Sequence, residues 1–439
     1  PKSAAMLVAR AARRVARHAP RHVRSLSALP QPSRGAAPQA WETDDGFMQL
    51  RAEHSVAGTD LVFGETLDPA IDLKTTVAGD AVESPYELTV DASMRDFWCS
   101  AFHSTNRLVT SMPFAQRLGF TDRLLPFDLM LFLTGAMAHA DRAVEEVAFK
   151  NARYYAPCYA GDTFKKRFVL RSKRIPKKNP KTVVATFECE LRNQRGELVF
   201  SVEKAMLFPL DDGESATAYE SVADHEVYVP DEHPLRQQIV KSADLLGELG
   251  GVTLRPLDPG KLFTHGSARM LTMTQTMQLA ALGRVVHDRH FNPAKYAGEP
   301  ERERLYVPGA LALGLVNACS GRELHEVLFQ TMHHVSFVNH LHPNEVVSAV
   351  SYIRSRSESL SGELEKQEVV TIGVKNIADA TAIQDHPLPR SLFMTDQPLR
   401  THELADALGD HPVLKPENVI LHCFRSIYRQ APKADVFLL

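Results

Sequence analysis

The sequence predicts an α+β protein in which one unit, an antiparallel sheet wrapped around a long apolar helix, occurs twice. Three observations carry that expectation. A polar loop leading through a Pro break into an apolar run appears as Ser111-Met112-Pro113-Phe114-Ala115, then Arg123-Leu124-Leu125-Pro126, then Phe127 to Met137. It appears again as His290-Phe291-Asn292-Pro293-Ala294-Lys295-Tyr296-Ala297, then Tyr306-Val307-Pro308-Gly309, then Ala310 to Leu315, at an offset of about one hundred and eighty residues. The segment from Asn151 to Asp162 is likewise answered by that from His334 to Asn344, and alternating strands follow each apolar run.

In chain order, residues 1–41 stand apart. They carry Lys2, Arg10, Arg13, Arg14, Arg17, Arg21, Arg24 and Arg34, and no acidic residue precedes Glu42. An Arg-rich, Ala-rich, acid-free stretch of this kind reads as a mitochondrial transit peptide and places the mature protein in the matrix. Without it the balance is 50 − 8 = 42 basic against 53 acidic residues, which argues against a general nucleic-acid binder. No apolar run is long enough to read as a membrane span. The five cysteines are scattered and form no C-x-x-C pair, which fits a reducing compartment and argues against a disulfide framework or zinc site.

The first unit covers residues 42–210. Asp91 is a candidate N-cap for a helix through Phe97 and Phe102. After the Phe127 run, Thr163–Arg171, Thr182–Leu191 and Leu198–Phe208 alternate as strands, with Asn193-Gln194-Arg195-Gly196 as a tight turn. Residues 211–260 are acidic and Pro-interrupted and read as a linker. The second unit covers 261–439: a helix over Thr274 to Val286, the histidine loop, the Pro308 helix, and strands at Val346–Ile353, Glu368–Val374 and Val419–Tyr428. Residues 384–417 read as an insertion between two paired strands.

The segment Arg153-Tyr154-Tyr155-Ala156-Pro157-Cys158-Tyr159-Ala160-Gly161-Asp162-Thr163 is similar to the R-F-x-x-P-V-x-P-G-D-T strand entry of the MaoC-like, R-specific enoyl-CoA hydratases. Asn193-Gln194-Arg195-Gly196-Glu197-Leu198-Val199 resembles their N-x-x-G-E-x-V hairpin. Within that family, His290-Phe291-Asn292 and Tyr306-Val307-Pro308-Gly309 look most like the mesaconyl-CoA hydratase branch. The resemblance covers most of Val56 to Pro432. It implies a tandem (double) hotdog fold, a coenzyme A thioester as substrate, and reversible hydration of an enoyl group.

Family members hold the attacking water with an acidic or amide residue and a histidine five positions later. The corresponding positions are Ser104 and Val109 in the first unit, which leaves that half without the chemistry, and Val285 and His290 in the second. The resemblance thus implies His290 as base, with Asp288 or His287 as its partner. It implies Gly309 as the amide donor to the thioester oxygen, with Tyr306 and Asn292 beside the substrate. A second alignment, placing the motif on His290-Phe291-Asn292-Pro293-Ala294-Lys295, stays open.

Physical chemistry supports the Gly309 assignment, because Pro308 has no N–H and the next amide is free at a helix start. Asp128, at the matching place in the first unit, packs and caps on this reading. Lys165-Lys166-Arg167 and the segment Lys173 to Lys181 read as hairpin charges that a phosphate could use, and His340 and His342 read as strand-end residues on one face. His333, His334, His340 and His342 could suggest a metal site, but no carboxylate is fixed near them in the sequence and the hydration reading needs no metal or redox cofactor; no P-loop, dinucleotide fingerprint or nucleophile elbow is present. Three functions are weighed: an acyl-CoA hydro-lyase; a catalytically degenerate relative that serves as a structural subunit of a mitochondrial complex or binds acyl carriers; and a thioesterase, which would need a carboxylate facing the helix amide, for which Asp128 is the only obvious candidate and stands in the other half. Each allows a homodimer or larger mitochondrial assembly.

Overall fold

The computed structural model describes residues 41–42, 48–49, 73–135, 143–177, 179–210, 221–222, 233–249, 256–285, 287–296, 304–361, 364–377, 383 and 385–431. The transit-peptide reading of residues 1–41 and the end of the apolar run at Met137 lie outside the described residues, apart from Trp41.

The first half contains β1 (Ala81–Thr89), α1 (Ala92–Ala101), α2 (Arg107–Thr110), α3 (Met112–Arg117), α4 (Phe127–Leu133), β2 (Glu145–Tyr154), β3 (Thr163–Arg174), β4 (Thr182–Asn193) and β5 (Leu198–Pro209). Helix α5 (Pro234–Lys241) follows. The second half contains β6 (Leu262–Thr264), α6 (Met273–Leu282), α7 (Gly309–Leu324), β7 (Phe329–Phe337), β8 (Val347–Ser361), β9 (Leu364–Lys375), α8 (Thr401–Leu408) and β10 (Val419–Gln430).

The strands form one antiparallel sheet in the order β1-β3-β4-β5-β2-β7-β10-β9-β8-β6, with Ser221–Val222 added beside β3. Each half contributes five of the ordered strands, and the two sets mirror each other about the β2–β7 seam. Pairing there is reciprocal: Ala148 faces Ser336, Ala152 faces Met332, and Lys150 faces His334 midway between them. A pseudo-two-fold axis therefore passes beside the Lys150–His334 pair.

Local chemistry accounts for the elements that frame the site. Asp91 caps α1 by accepting from the Met94 amide at 2.8 Å, and Met94, Trp98 and Ala101 bury one face at helical spacing. Thr272 and Gln275 form a capping box at the start of α6. Helix α7 is buried on nearly every side, as an apolar helix wrapped by a sheet must be. The turn between β4 and β5 uses Gly196 at φ +78°, where a side chain would be strained.

The structure departs from the expected elements in three places. Helix α6 stops at Leu282 rather than Val286, because Arg284 takes φ +57° and breaks the ladder. Part of the linker is helical: Leu235, Ile239, Ala243 and Leu246 pack into the main core. The insertion forms a small core of its own, in which Leu392, Phe393, Leu404, Leu408 and Leu414 cover Val370, Ile372 and Phe424 on the sheet face opposite α7.

Candidate active site

The loops that follow α1 and α6 are built alike. Each helix ends in a residue with positive φ, His103 at +47° and Arg284 at +57°. Three residues on, Asn106 and His287 cap the next turn. Asn106 Oδ1 accepts from the Leu108 amide at 2.9 Å and its Nδ2 donates to the Val327 carbonyl at 2.6 Å. His287 Nδ1 accepts from the Arg289 amide at 3.1 Å and its Nε2–H donates to the Ala143 carbonyl at 2.6 Å. Both ring nitrogens are engaged, so His287 holds the loop and is not a proton-transfer partner. By that equivalence Val285 matches Ser104 and His290 matches Val109.

His290 lines a cavity between the two halves, together with Phe132, Glu146, Lys204, Tyr306 and Gly309. Its Nδ1 lies 2.7 Å from the Tyr306 carbonyl. A carbonyl only accepts, so the proton sits on Nδ1 and Nε2 keeps its lone pair. Burial pushes the imidazole down to about 4, against a smaller upward pull from the Tyr306 carbonyl. His290 is therefore neutral near pH 7, in the protonation state a general base requires.

The start of α7 differs from the sequence expectation. The Gly309 amide is not free: it donates to Glu146 Oε2 at 2.9 Å. Glu146 comes from β2 of the first half, and Lys204 of β5 lies 3.6 Å from its other oxygen. A Cβ at Gly309 would displace the Glu146 carboxylate from the helix start and press on the Phe337 ring at 3.0 Å. The carboxylate facing the second half's helix start is thus Glu146, not Asp128. The sequence offered little signal for it, because the contact spans 163 positions of chain.

Other expected site residues lie elsewhere. Asp288 is ion-paired to Lys295 on the outside of the loop, and Asn292 is exposed; neither lines the cavity. Tyr306 is a wall, stacked on His340 at 4.1 Å between ring centroids. His340 and His342 follow the end of β7 rather than lying on it, and His342 hydrogen-bonds the Leu305 carbonyl. Lys166 and Lys173 are buried, so they are not hairpin-tip charges; Lys173 donates to the Leu73 carbonyl. Among the described residues, no three His, Cys, Asp or Glu side chains gather as a metal site.

A second cavity occupies the pseudo-symmetric position, lined by Asn106, Val109, Phe127, Asp128, Gln330 and Arg425. Asp128 lies at the start of α4 and accepts from Asn317 at 2.7 Å. Burial pushes its carboxyl up to about 6. Val109 stands where the first cavity has His290, so this site has no matching base.

No protein-family model matches the chain, and no curated protein matches it. Among solved structures, a putative MaoC domain protein dehydratase from Chloroflexus aurantiacus J-10-fl superposes with a TM-score of 0.63 at 18% identity, covering 83% of this chain and 99% of that one. A conserved hypothetical protein of Mycobacterium tuberculosis, described as having a double hotdog fold, matches with a TM-score of 0.59 at 15% identity over 81% of this chain and 97% of that one. The fold is a double hotdog. A third structure, of a MaoC-like dehydratase, gives a TM-score of 0.50 at 13% identity over 70% of this chain and 96% of that one. At these identities the double hotdog likeness speaks to fold alone.

Proposed function

We propose that the chain binds an α,β-unsaturated acyl thioester of coenzyme A in the His290 cavity and adds or removes water across the double bond. The observation that carries this reading is the His290 ring. Its Nδ1–H is held by the Tyr306 carbonyl, its Nε2 lone pair is available, and it shares a cavity with the start of α7. In hydration, Nε2 takes a proton from water as the water oxygen bonds the β-carbon. The double-bond electrons shift to the α-carbon and thioester, and a proton returns to the α-carbon.

Val285 supplies no acid, and the carboxylate that meets the helix start is Glu146, contributed by the other half. The thioester oxygen takes over the Gly309 amide and the helix start stabilises its developing charge. That exchange releases Glu146 toward the reacting carbons. A cavity of about 130 Å³ is close to the ~150 Å³ that holds a benzene-sized group, so the acyl chain is short and the coenzyme lies outside. Two structural neighbours, both named as dehydratases, support the same reaction class. The branch-level likeness to mesaconyl-CoA hydratases rests on sequence alone, and its Asn292 has no place in the cavity.

A non-catalytic role as a structural subunit or acyl binder is favoured by the occupied Gly309 amide and by apolar Val285. The Arg-rich first 41 residues support a mitochondrial location, testable by tagging the full chain and by repeating the experiment without them. Hydration assays on crotonyl-CoA and related enoyl-CoAs, with His290→Ala in parallel, decide between enzyme and binder. Turnover lost in the variant supports the hydratase; no turnover with any substrate by a folded protein leaves the binder.

A further inference from the structure

The seam register shows what the second cavity has in place of each group in the first. Glu203 pairs with Lys150, Phe424 pairs with His334, and Lys150 and His334 face each other. One position further along β5 and β10, Lys204 and Arg425 therefore correspond. Four positions along, Leu207 pairs with Glu145 and Tyr428 with Phe329, so Glu145 and Phe329 correspond as well. Each lines its own cavity. Where the first cavity has Glu145 and His290, the second has Phe329 and Val109. A carboxyl and an imidazole occur together in one half-site, and apolar groups replace both in the other.

The two glutamates at the start of β2 have different surroundings. Glu146 accepts from the Gly309 amide at 2.9 Å with one oxygen and faces Lys204 at 3.6 Å with the other, so both of its oxygens are turned toward donors. Among the described residues the Glu145 carboxyl makes no hydrogen bond, and His340 Nε2 lies 3.9 Å from it. The His340 ring is stacked on Tyr306, whose carbonyl holds His290 Nδ1–H. Tyr306 thus ties both groups to one wall of the cavity. Burial pushes His340 down to about 4, and a neutral imidazole does not hold Glu145 as a carboxylate. Partial burial pushes the Glu145 carboxyl up from its ordinary range, against a smaller downward pull from Arg289.

We infer that Glu145 is the acid of the site and delivers to the α-carbon the proton that hydration requires. This rests on the hydration reading above and adds its second proton-transfer group. As His290 Nε2 takes a proton from water and the water oxygen bonds the β-carbon, the double-bond electrons bind the Glu145 proton at the α-carbon and the Glu145 O–H bond breaks. Glu145 ends as a carboxylate and His290 as an imidazolium, so the net charge of the site is unchanged. Passage of the His290 proton to Glu145 through water then restores both groups. Dehydration runs the same transfers backwards, with Glu145 as the base. The titratable and charged groups that share the cavity with Glu145 are His287, Arg289, His290 and His340 of the second half and Glu146 and Lys204 of the first.

The test is steady-state hydration of crotonyl-CoA across the pH range by the full chain, Glu145→Gln, Glu145→Asp and His290→Ala. Glu145→Gln keeps the shape of the side chain but has no proton to transfer. It should lower kcat by about a hundredfold or more with KM little changed, and the fall in rate on the alkaline side, where Glu145 loses its proton, should disappear. Glu145→Asp should recover at least part of the rate, with that fall moved to lower pH. A Glu145→Gln variant within about fivefold of wild type, or one that keeps the alkaline fall, overturns the inference. The hydration reading then still stands, provided that His290→Ala is inactive. Should Glu145→Gln fail to fold, an unmoved alkaline fall in Glu145→Asp overturns the inference in its place. No turnover by the wild type overturns both readings.

Discussion

His287 and Asn106 do the same work in the two halves: each caps a turn with one side-chain atom and donates with another to a backbone carbonyl across the fold, Ala143 for His287 and Val327 for Asn106. An imidazole stands in for a carboxamide because both present an acceptor and a donor on one planar group. His287→Asn should therefore keep stability within about 0.5 kcal/mol, while His287→Ala should lose about 1 kcal/mol, the usual worth of a cap. Urea unfolding midpoints check this. A His287→Asn variant as unstable as His287→Ala would show that the ring acts by bulk instead.

His290→Ala should reduce turnover by about 10²–10⁴-fold, the range for loss of a general base, with stability little changed. Because burial holds the imidazole down at about 4, the neutral base persists well below pH 6. The acid limb of kcat/KM should fall only as pH drops through about 4 to 5. A limb near 6.5 would mean that a solvated histidine carries the reaction.

Glu146→Ala should be the more damaging single change at the ion pair. It leaves Lys204 buried without its carboxylate and the Gly309 amide without an acceptor, at a cost of about 2–4 kcal/mol. Lys204→Met leaves Glu146 on the positive end of α7 and should cost less. The double variant should be more stable than Glu146→Ala alone, which a double-mutant cycle of denaturant midpoints measures.

Acid should destabilise the fold before most carboxylates titrate. Burial lowers the imidazoles of His265, His334 and His422, the last two to about 4 and about 3. A histidine whose folded value is depressed adds stability fully above its unfolded value, about 6.5, and loses it as pH falls from there toward the folded value. His422, whose Nδ1 accepts from the Leu399 amide, should alone remove about 2–3 kcal/mol by pH 4.5. Thermal melts of wild type and His422→Gln from pH 7.5 to 4.5 would read this. Parallel losses in both would assign the effect elsewhere.

Much of the fold was legible in the chain because its signals are local. The doubled Pro-break grammar at Pro126 and Pro308, the Asp91 cap, the Asn193–Gly196 turn and strand alternation all act within a few residues, and each appears where the sequence put it. His290 was also found from its loop. What the tertiary structure alone decided are the contacts across the seam, which carry no local periodicity. Glu146 reaches Gly309 from the other half, His287 lines the cavity but spends its ring nitrogens on the Arg289 amide and the Ala143 carbonyl, and Lys204 finds no hydrogen-bond acceptor among the described residues while its counterpart Arg425 has three. Duplication wrote two similar units into the sequence. Only their docking along β2 and β7 determined that the other half supplies the carboxylate and how each buried cation is partnered.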